Sequence, residues 1–420
     1  MQSNKSKRLS RHPLIVGISL TLLGFSIACA LWPIWALSVK SIYFQIAGDV
    51  LTTVEPSLVS QLIKVVSEGT FFWMMINSWI WLTLVLGNPG KNLFTDKQPI
   101  AGIWYTLCSW VLGVVAFLIL ISFLGIWWHP FNLATMFTPA NEAQIRLAIL
   151  AWDTANFYAL AVIIAQIPLV SLFHKWPFGG NAEPPYDSIG VLSLGTAVTW
   201  IVWMALIVPS WMDLSLAGKG VVTPPFGRWP AFIAFCQAYI IFAILPVEGG
   251  ENYPMKLISK RQPLMGLTGF AIAVFAGLTV PPLMKMIIIP LDILPGVPPD
   301  VVVASLELSV IVFMLAWHHL FDDYPNQQRV SNQARRIGAR ISIWLVGGTV
   351  WGLVWLQIYT YLPFGANDLG LGVPALGILA GQFSLLMPLL YLNTFFDKWP
   401  VVGLPRRSFS ENPREGSRMV

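Results

Sequence analysis

The chain has 420 residues, of which 56% are hydrophobic and only 11% are charged, and its formal net charge is +5. Soluble domains carry about 25% charged residues, so this composition excludes an ordinary soluble protein and favours a bilayer as the solvent. The positive charge does not indicate a nucleic-acid partner, because such a partner needs basic residues gathered on one soluble surface. The three cysteines are isolated in apolar runs, which predicts neither a disulfide framework nor a zinc site.

Ten apolar segments have the length needed to cross the roughly 30 Å hydrocarbon core of a bilayer. They cover residues 14–37, 70–88, 101–126, 147–172, 189–210, 229–248, 264–286, 301–320, 340–362 and 372–395. The sixth is the least regular, because Gln237 and Pro246 interrupt it. We therefore predict an all-α, polytopic integral membrane protein with about ten transmembrane helices in a single domain, residues 14–400.

The first segment has one other interpretation. Small residues at Ala28-Cys29-Ala30 are typical of a signal-peptide cleavage site. The apolar run continues to Leu37, which is long for a signal peptide and favours a retained anchor. Cleavage would leave nine spans with the same orientation.

A short motif ending in proline recurs about every 75 residues, each time where an apolar run ends. Its copies are Asp96-Lys97-Gln98-Pro99, His174-Lys175-Trp176-Pro177, Glu251-Asn252-Tyr253-Pro254, Asp322-Asp323-Tyr324-Pro325 and Asp397-Lys398-Trp399-Pro400. A fixed period of this size predicts repeated units. The units would be hairpins over residues 14–99, 100–177, 178–254, 255–325 and 326–400, and parallel to each other because each contains two spans. A ring about a pseudo-fivefold axis and an irregular bundle are both compatible with this pattern.

The basic residues predict the orientation of the spans. Nineteen lie on the face that carries both termini and the motifs, against six on the other face, so the motif face is predicted to be cytoplasmic in an inner or plasma membrane. Residues 1–13 would be a basic cytoplasmic N-terminus and residues 401–420 a disordered cytoplasmic tail. On the outer side, residues 38–69 have the pattern of short amphipathic helices lying on the membrane interface.

Every even-numbered span carries polar side chains, which are costly inside a bilayer and often face a cavity or a partner helix. This pattern predicts that the even spans surround a shared interior and that the odd spans lie nearer lipid. The alternative is that these side chains only make hydrogen bonds that hold the bundle together. As candidates for a substrate or proton pathway we select Glu307, Asp153, Asn77, Asn156, Gln237 and Gln382.

Asp153 and Glu307 are the strongest candidates for moving a proton, because each lies roughly 10 Å inside the outer end of its span at 1.5 Å per residue. Asp153 could instead pair with Arg146, two helical turns away on the same face. Glu307 has no basic residue nearby in the sequence.

The recurring motif has both a structural and a functional interpretation. An aromatic residue suits the membrane interface, and proline ends the helix, so the motif needs no further role. Alternatively, acidic and basic residues of neighbouring units could pair in a ring that forms an inner gate or contacts lipid. The candidates for that role are Asp96, Lys97, Lys175, Glu251, Asp322, Asp323, Asp397 and Lys398.

No cofactor or metal is expected. The five histidines lie outside the spans or at their ends, which argues against haem ligation within the bundle. Hydrolase motifs such as G-x-S-x-G, H-E-x-x-H and the Walker loop are absent from the sequence.

The leading hypothesis is a permease or channel-like transporter of a small solute, which could be coupled to protons. The expected partners are the lipid bilayer, that solute and a second copy of the chain. One alternative is a membrane-embedded enzyme or lipid-handling protein with its site at the cytoplasmic rim, among Asp322, Asp323, His318, His319 and the arginines of residues 329–340. A second alternative is a non-transporting subunit that docks a partner on its cytoplasmic loops.

Overall fold

The computed structural model describes residues 12–179, 186–207, 229–327 and 329–402. Within these residues the protein is all-helical, and nine helices are long and apolar enough to cross a membrane. This agrees with the predicted polytopic membrane protein. The basic segment before His12, most of the C-terminal tail and residues 208–228 lie outside the described residues.

Proline and asparagine begin several of the helices. Proline is the first residue of three of them, where its missing N–H costs no hydrogen bond. Asn141 caps another, because its side-chain oxygen accepts a hydrogen bond from the N–H of Gln144 at 3.0 Å. The helices are α1 Pro13–Ala47, α2 Val50–Thr53, α3 Pro56–Phe71, α4 Ile100–Leu124, α5 Leu133–Phe137, α6 Glu142–Ser171, α7 Tyr186–Val202, α8 Trp229–Ile244, α9 Leu264–Leu291, α10 Pro299–Leu320, α11 Gln333–Ile358 and α12 Gly377–Thr394.

The second predicted span begins earlier than the sequence suggests. Helical structure continues from α3 through the π-helical segments Phe72–Asn77 and Ile80–Val85. The prediction of short interfacial helices over residues 38–69 is therefore wrong, since α1 extends to Ala47 and α3 is the first half of the second span. Its apolar side chains, such as Leu62 and Val66, are buried against the protein instead of lying on lipid.

Burial alternates along the chain. In the most apolar part of α6, α8, α10 and α12, between 67% and 78% of the residues are buried, whereas in α1, α4, α7, α9 and α11 only 22% to 28% are. The exposed surface of the second group is apolar and suits contact with lipid chains. This alternation agrees with the expectation that even spans form the interior and odd spans lie outside them.

The interior helices follow one another around a common axis. We call α3 with its π-helical extension, α6, α8, α10 and α12 the inner ring, because each contacts the next in this order. The first and last members close the ring. Tyr391 Oη donates to the carbonyl of Met75 at 3.1 Å, and Trp79 Nε1 donates to Thr394 Oγ1 at 3.0 Å.

The outer helices lie between neighbours of the inner ring. Each packs mainly on the inner helix that precedes it in the chain: α4 on Phe72–Asn77, α7 on α6, α9 on α8 and α11 on α10. The first helix has no predecessor and packs on α12, the last inner helix. The five outer helices thus enclose the inner ring.

Four of the predicted motifs form one type of turn at the end of an inner helix. Two successive residues with left-handed φ precede the aromatic residue and the proline: His174 and Lys175, Glu251 and Asn252, Asp322 and Asp323, and Asp397 and Lys398. In three of these turns the second N–H bonds the carbonyl six residues earlier, at 2.7 to 3.0 Å. This bond satisfies a carbonyl that the helix end would leave free.

The first predicted copy of the motif is not equivalent to the other four. Asp96–Pro99 leads into α4, whereas the matching turn in the first unit is formed by Gly87 and Asn88, both with left-handed φ. The Asn88 N–H bonds the carbonyl of Leu82 at 2.7 Å, again six residues earlier. The sequence was misleading because Gln98-Pro99, like Gln262-Pro263, precedes an outer helix with the same proline signal.

Gly113 of α4 packs directly against the backbone of the inner ring. A Cβ at this position would lie 2.5 Å from the carbonyl oxygen of Trp73 and 2.6 Å from the Cα of Met74. Both are backbone atoms, so the two helices would have to separate. We expect Gly113→Ala to lower the free energy of unfolding by about 1–3 kcal/mol, measured as a lower Tm of the protein in detergent.

The matched control is Gly338→Ala on α11, where an added Cβ meets nothing within 4 Å. This change should stabilise the helix by about 0.5–1 kcal/mol. A Tm that rises equally in both variants would contradict the close packing of α4.

Candidate functional site

A cavity of about 490 Å³ lies inside the inner ring, at the end opposite to the motif turns. We call it the polar cavity, because charged and amide side chains lie in its wall. Four inner helices contribute to it: α3 with Phe72 and Ile76, α6, α8 and the start of α12. Its polar members are Gln61, Lys64, Glu68, Asp153, Asn156 and Gln237.

Three charged side chains line the polar cavity. Lys64 and Glu68 are four residues apart on α3 and therefore share a helix face, and Asp153 projects from α6. Among the described residues, none of the three forms an ion pair or a side-chain hydrogen bond. Lys64 is exposed, whereas Glu68 and Asp153 are half-buried.

Two buried amides lie in the same wall. Asn156 is 6% exposed; its Nδ2 donates to the carbonyl of Val65 at 3.3 Å, and its Oδ1 has no partner among the described residues. Gln237 is 7% exposed and has no hydrogen-bond partner among the described residues. Buried amides normally make hydrogen bonds, so Gln237 offers a free donor and acceptor to a bound molecule, whereas Asn156 Oδ1 is fully buried against Gly69.

The polar cavity continues into a narrow space of about 50 Å³ along the axis, which we call the apolar neck. All five inner helices line it, chiefly with isoleucine and leucine. Both spaces share Ile76, Leu160, Ile163, Gln237 and Phe383. The remaining neck residues are Trp79, Ile80, Ile167, Cys236, Ile240, Leu308, Ile311, Leu315, Leu386, Met387 and Leu390.

Polar side chains return at the far end of the apolar neck. About one helical turn beyond Leu315 and Leu390 lie His319 and Asn393, whose ring and amide nitrogens are 3.0 Å apart. The polar cavity, the apolar neck and this polar layer follow one another along the axis of the inner ring.

The structure brings three of the six predicted pathway residues together. Asp153, Asn156 and Gln237 all line the polar cavity. The predicted pair between Asp153 and Arg146 is wrong, because Arg146 binds Glu142 on the helix surface at 2.7 Å. Asp153 is therefore left facing the cavity.

The other three lie elsewhere. Gln382 bridges two helices, since it accepts from Ser309 Oγ at 2.8 Å and donates to the carbonyl of Ser305 at 3.0 Å. Glu307 and Asn77 are buried, and their side-chain oxygens and nitrogens have no partner among the described residues. Neither belongs to the wall of the polar cavity or the apolar neck.

Most of the predicted gate residues contact a side chain or a carbonyl group near the helix ends. Lys398 pairs with Asp322, and Asp397 pairs with Lys91 at 2.6 Å. Asp323 contacts His318 at 2.9 Å, and Glu251 contacts Arg336 at 2.6 Å. Lys175 Nζ donates to the carbonyl of Val85 at 2.9 Å, and burial lowers the pKa of Lys175. Asp96 and Lys97 are exposed before α4.

Sequence reasoning missed Lys64 and Glu68 as site residues, because it placed them in an outer loop. One signal could have identified them. Their spacing of four residues puts both charges on one helix face, and no proline separates them from the second span.

Comparison with known proteins does not identify the function of this site. No known protein family, curated protein or solved structure matches this chain. Within the described residues, no three His, Cys, Asp or Glu side chains lie close enough to hold a metal ion. The function must be inferred from the geometry itself.

The contact of Glu251 with Arg336 gives a pH-dependent prediction. Hydrogen bonds from Arg336 hold the pKa of Glu251 below its ordinary value of 4.5. A lowered folded-state pKa means that the stabilisation is fully present above pH 4.5 and is lost as the pH falls through the lowered value. Glu251→Gln should therefore lower the Tm at pH 7, and the difference from the native protein should shrink below pH 4.5.

The control for this prediction is Glu142→Gln, whose partner Arg146 is exposed at the protein surface. An exposed ion pair contributes little, so its removal should leave the Tm nearly unchanged. Equal effects of the two substitutions at all pH values would contradict the role given to Glu251.

Proposed function

We propose that the protein is a channel-like transporter of a small solute, and that the solute moves along the axis of the inner ring. One observation carries the proposal: the polar cavity and the apolar neck are lined in common by five residues and lie in series between the helices. Polar cavities inside a bundle of spans mark substrate pathways in membrane proteins. Side chains that served only to hold the bundle together would not leave such a space.

The apolar neck would be the closed gate of this pathway. At about 50 Å³ the neck is roughly a tenth of the volume of the polar cavity, which is about 490 Å³. Apolar constrictions exclude ions and polar solutes by dewetting. Opening therefore requires that the side chains of the neck move apart, and Phe383 lies where the cavity meets the neck.

We infer further that the five helix pairs are parallel repeats. Three recurrent contacts support this inference: a phenylalanine at the end of an inner helix packs on a glycine near the start of an outer helix. The contacts join Phe173 to Gly266, Phe321 to Gly17 and Phe396 to Gly102. In each case the phenylalanine belongs to the inner helix one place before the inner helix on which the outer helix mainly packs, counted around the ring, and a fivefold repeat would produce this constant offset.

Within this proposal, we assign the coupling of transport to protons to Asp153. Asp153 lines the polar cavity, where a carboxyl can exchange a proton with water, whereas Glu307 lies outside both spaces. The rival site at the cytoplasmic rim loses support, because Asp322, Asp323 and Arg336 are already paired with other side chains.

The proposed pathway can be tested with Phe383→Ala. Removing the ring widens the junction of cavity and neck, so the substitution should speed the swelling of proteoliposomes in iso-osmotic solutions of small polar solutes by about tenfold or more, the factor equivalent to 1.4 kcal/mol of barrier. The control is Phe275→Ala on α9, whose ring is 68% exposed on the outer surface. Equal swelling of the two variants would refute a pathway through the neck.

The proposed orientation can be tested with reporter fusions. The motif face is predicted to be cytoplasmic, so a phosphatase that is active only outside the cytoplasm should be inactive when fused after Val402. The same enzyme inserted at Gly296, between α9 and α10, should be active. The opposite result would invert the topology.

A further inference from the structure

The polar cavity has both basic and acidic groups in its wall, and these groups make no direct ion pair within the part of the chain that the structure describes. Lys64 provides one ammonium group, and Glu68 and Asp153 provide two carboxyl groups. Structural charges in this protein behave differently: at the motif end, Lys91, Arg336 and Lys398 each bind a carboxylate directly. Charges that only stabilise the fold would be expected to pair in the same way.

The mixture of signs restricts what the cavity can hold. A simple anion would meet two carboxylates, and a simple cation would meet the ammonium of Lys64. Like charges brought together in this way discriminate against a ligand. A neutral molecule would displace water from the half-buried acidic groups and leave them without partners, which is costly. A ligand with one positive and one negative group satisfies both kinds of charge.

We propose, on the basis of the transport function inferred above, that the polar cavity binds a small zwitterion with an ammonium and a carboxylate group, such as a free amino acid or a betaine. Its ammonium would face Glu68 and Asp153, and its carboxylate would face Lys64. The amide of Gln237 provides further hydrogen bonds.

The amide of Gln237 supports this assignment independently of the charges. Its side chain is 7% exposed, lines the cavity and makes no hydrogen bond within the described residues. A free amide in this position can bond either charged group of a zwitterion. A volume of 490 Å³ lies within the range of small-molecule sites and admits a molecule of amino-acid size.

The apolar part of the wall suits the rest of such a molecule. Phe72, Phe157 and Phe383 line the cavity beside the polar groups. Aromatic faces attract ammonium and quaternary ammonium groups, so the rings accommodate both an amino acid and a methylated betaine. These two ligands share the required chemistry, and binding measurements will decide between them.

Equilibrium dialysis of the purified full-length protein in mild detergent tests the proposal. The probes are radiolabelled L-alanine and glycine betaine, with methylammonium and acetate as single-charge comparators. We expect at least one zwitterion to bind and both single ions to bind at least about tenfold more weakly, since a hydrogen bond to a charged group contributes roughly 1.5–3 kcal/mol. Equal binding of methylammonium would show a cation site, and equal binding of acetate an anion site; either would overturn the proposal.

Substitutions locate the bound zwitterion. Lys64→Met should weaken binding at least about tenfold by removing the partner of the carboxylate, and Glu68→Gln combined with Asp153→Asn should do so by removing the partners of the ammonium. Glu142→Gln is the matched control, because Glu142 lies at the start of the same helix as Asp153 but pairs with Arg146 at the surface. Tm measurements identify variants that lose binding only by unfolding. Unchanged affinity in folded Lys64→Met protein would refute the assignment.

The proposal and the transport function can fail separately. If no zwitterion binds while Phe383→Ala still increases swelling, the pathway stands and its ligand class is wrong. If zwitterions bind with the expected dependence on Lys64 but no variant changes swelling, the cavity is a binding site and the transport function is wrong.

Discussion

The closure of the inner ring is the constraint on which the rest of the structure depends. Five spans can bury their polar residues together only if the first and last also meet, because an open arc would leave one polar side facing lipid. The contact of Tyr391 with Met75 and that of Trp79 with Thr394 provide this closure. Once the ring is closed, the outer helices can present apolar surfaces to the membrane, and an enclosed axis remains inside.

Charged side chains of this protein occur in two arrangements. At the motif end, acidic and basic side chains from different helices are paired, so they fix the helix ends relative to each other. The opposite end also has a pair between helices, Lys285 with Asp300 at 2.9 Å, but Lys64, Glu68 and Asp153 line an open volume there without direct partners among the described residues. The paired groups join helices, whereas in the proposed site the unpaired groups would contact the ligand.

The sequence predicted the helical class, most of the span positions and the buried character of even spans, because these follow from apolar length and from the cost of polar groups in lipid. It predicted Asp153 and Gln237 at the site for the same reason. It failed for Glu307 because depth along a helix is visible in a sequence, whereas the direction in which a side chain points around the helix depends on packing. It failed for Lys64 because charges near a span end resemble an interfacial loop.

The apolar neck is regular, whereas the polar cavity is not. All five inner helices line the neck. The cavity is asymmetric: α3 carries Lys64 and Glu68, α6 carries Asp153 and Asn156, and no residue of α10 lines it. The proposed site of mixed charge needs this difference between the helices, because five equivalent positions would place the same charge around the axis and repel one another. In the proposed transporter, five unequal hairpins would form a common gate and still present two opposite charges to one side of a ligand.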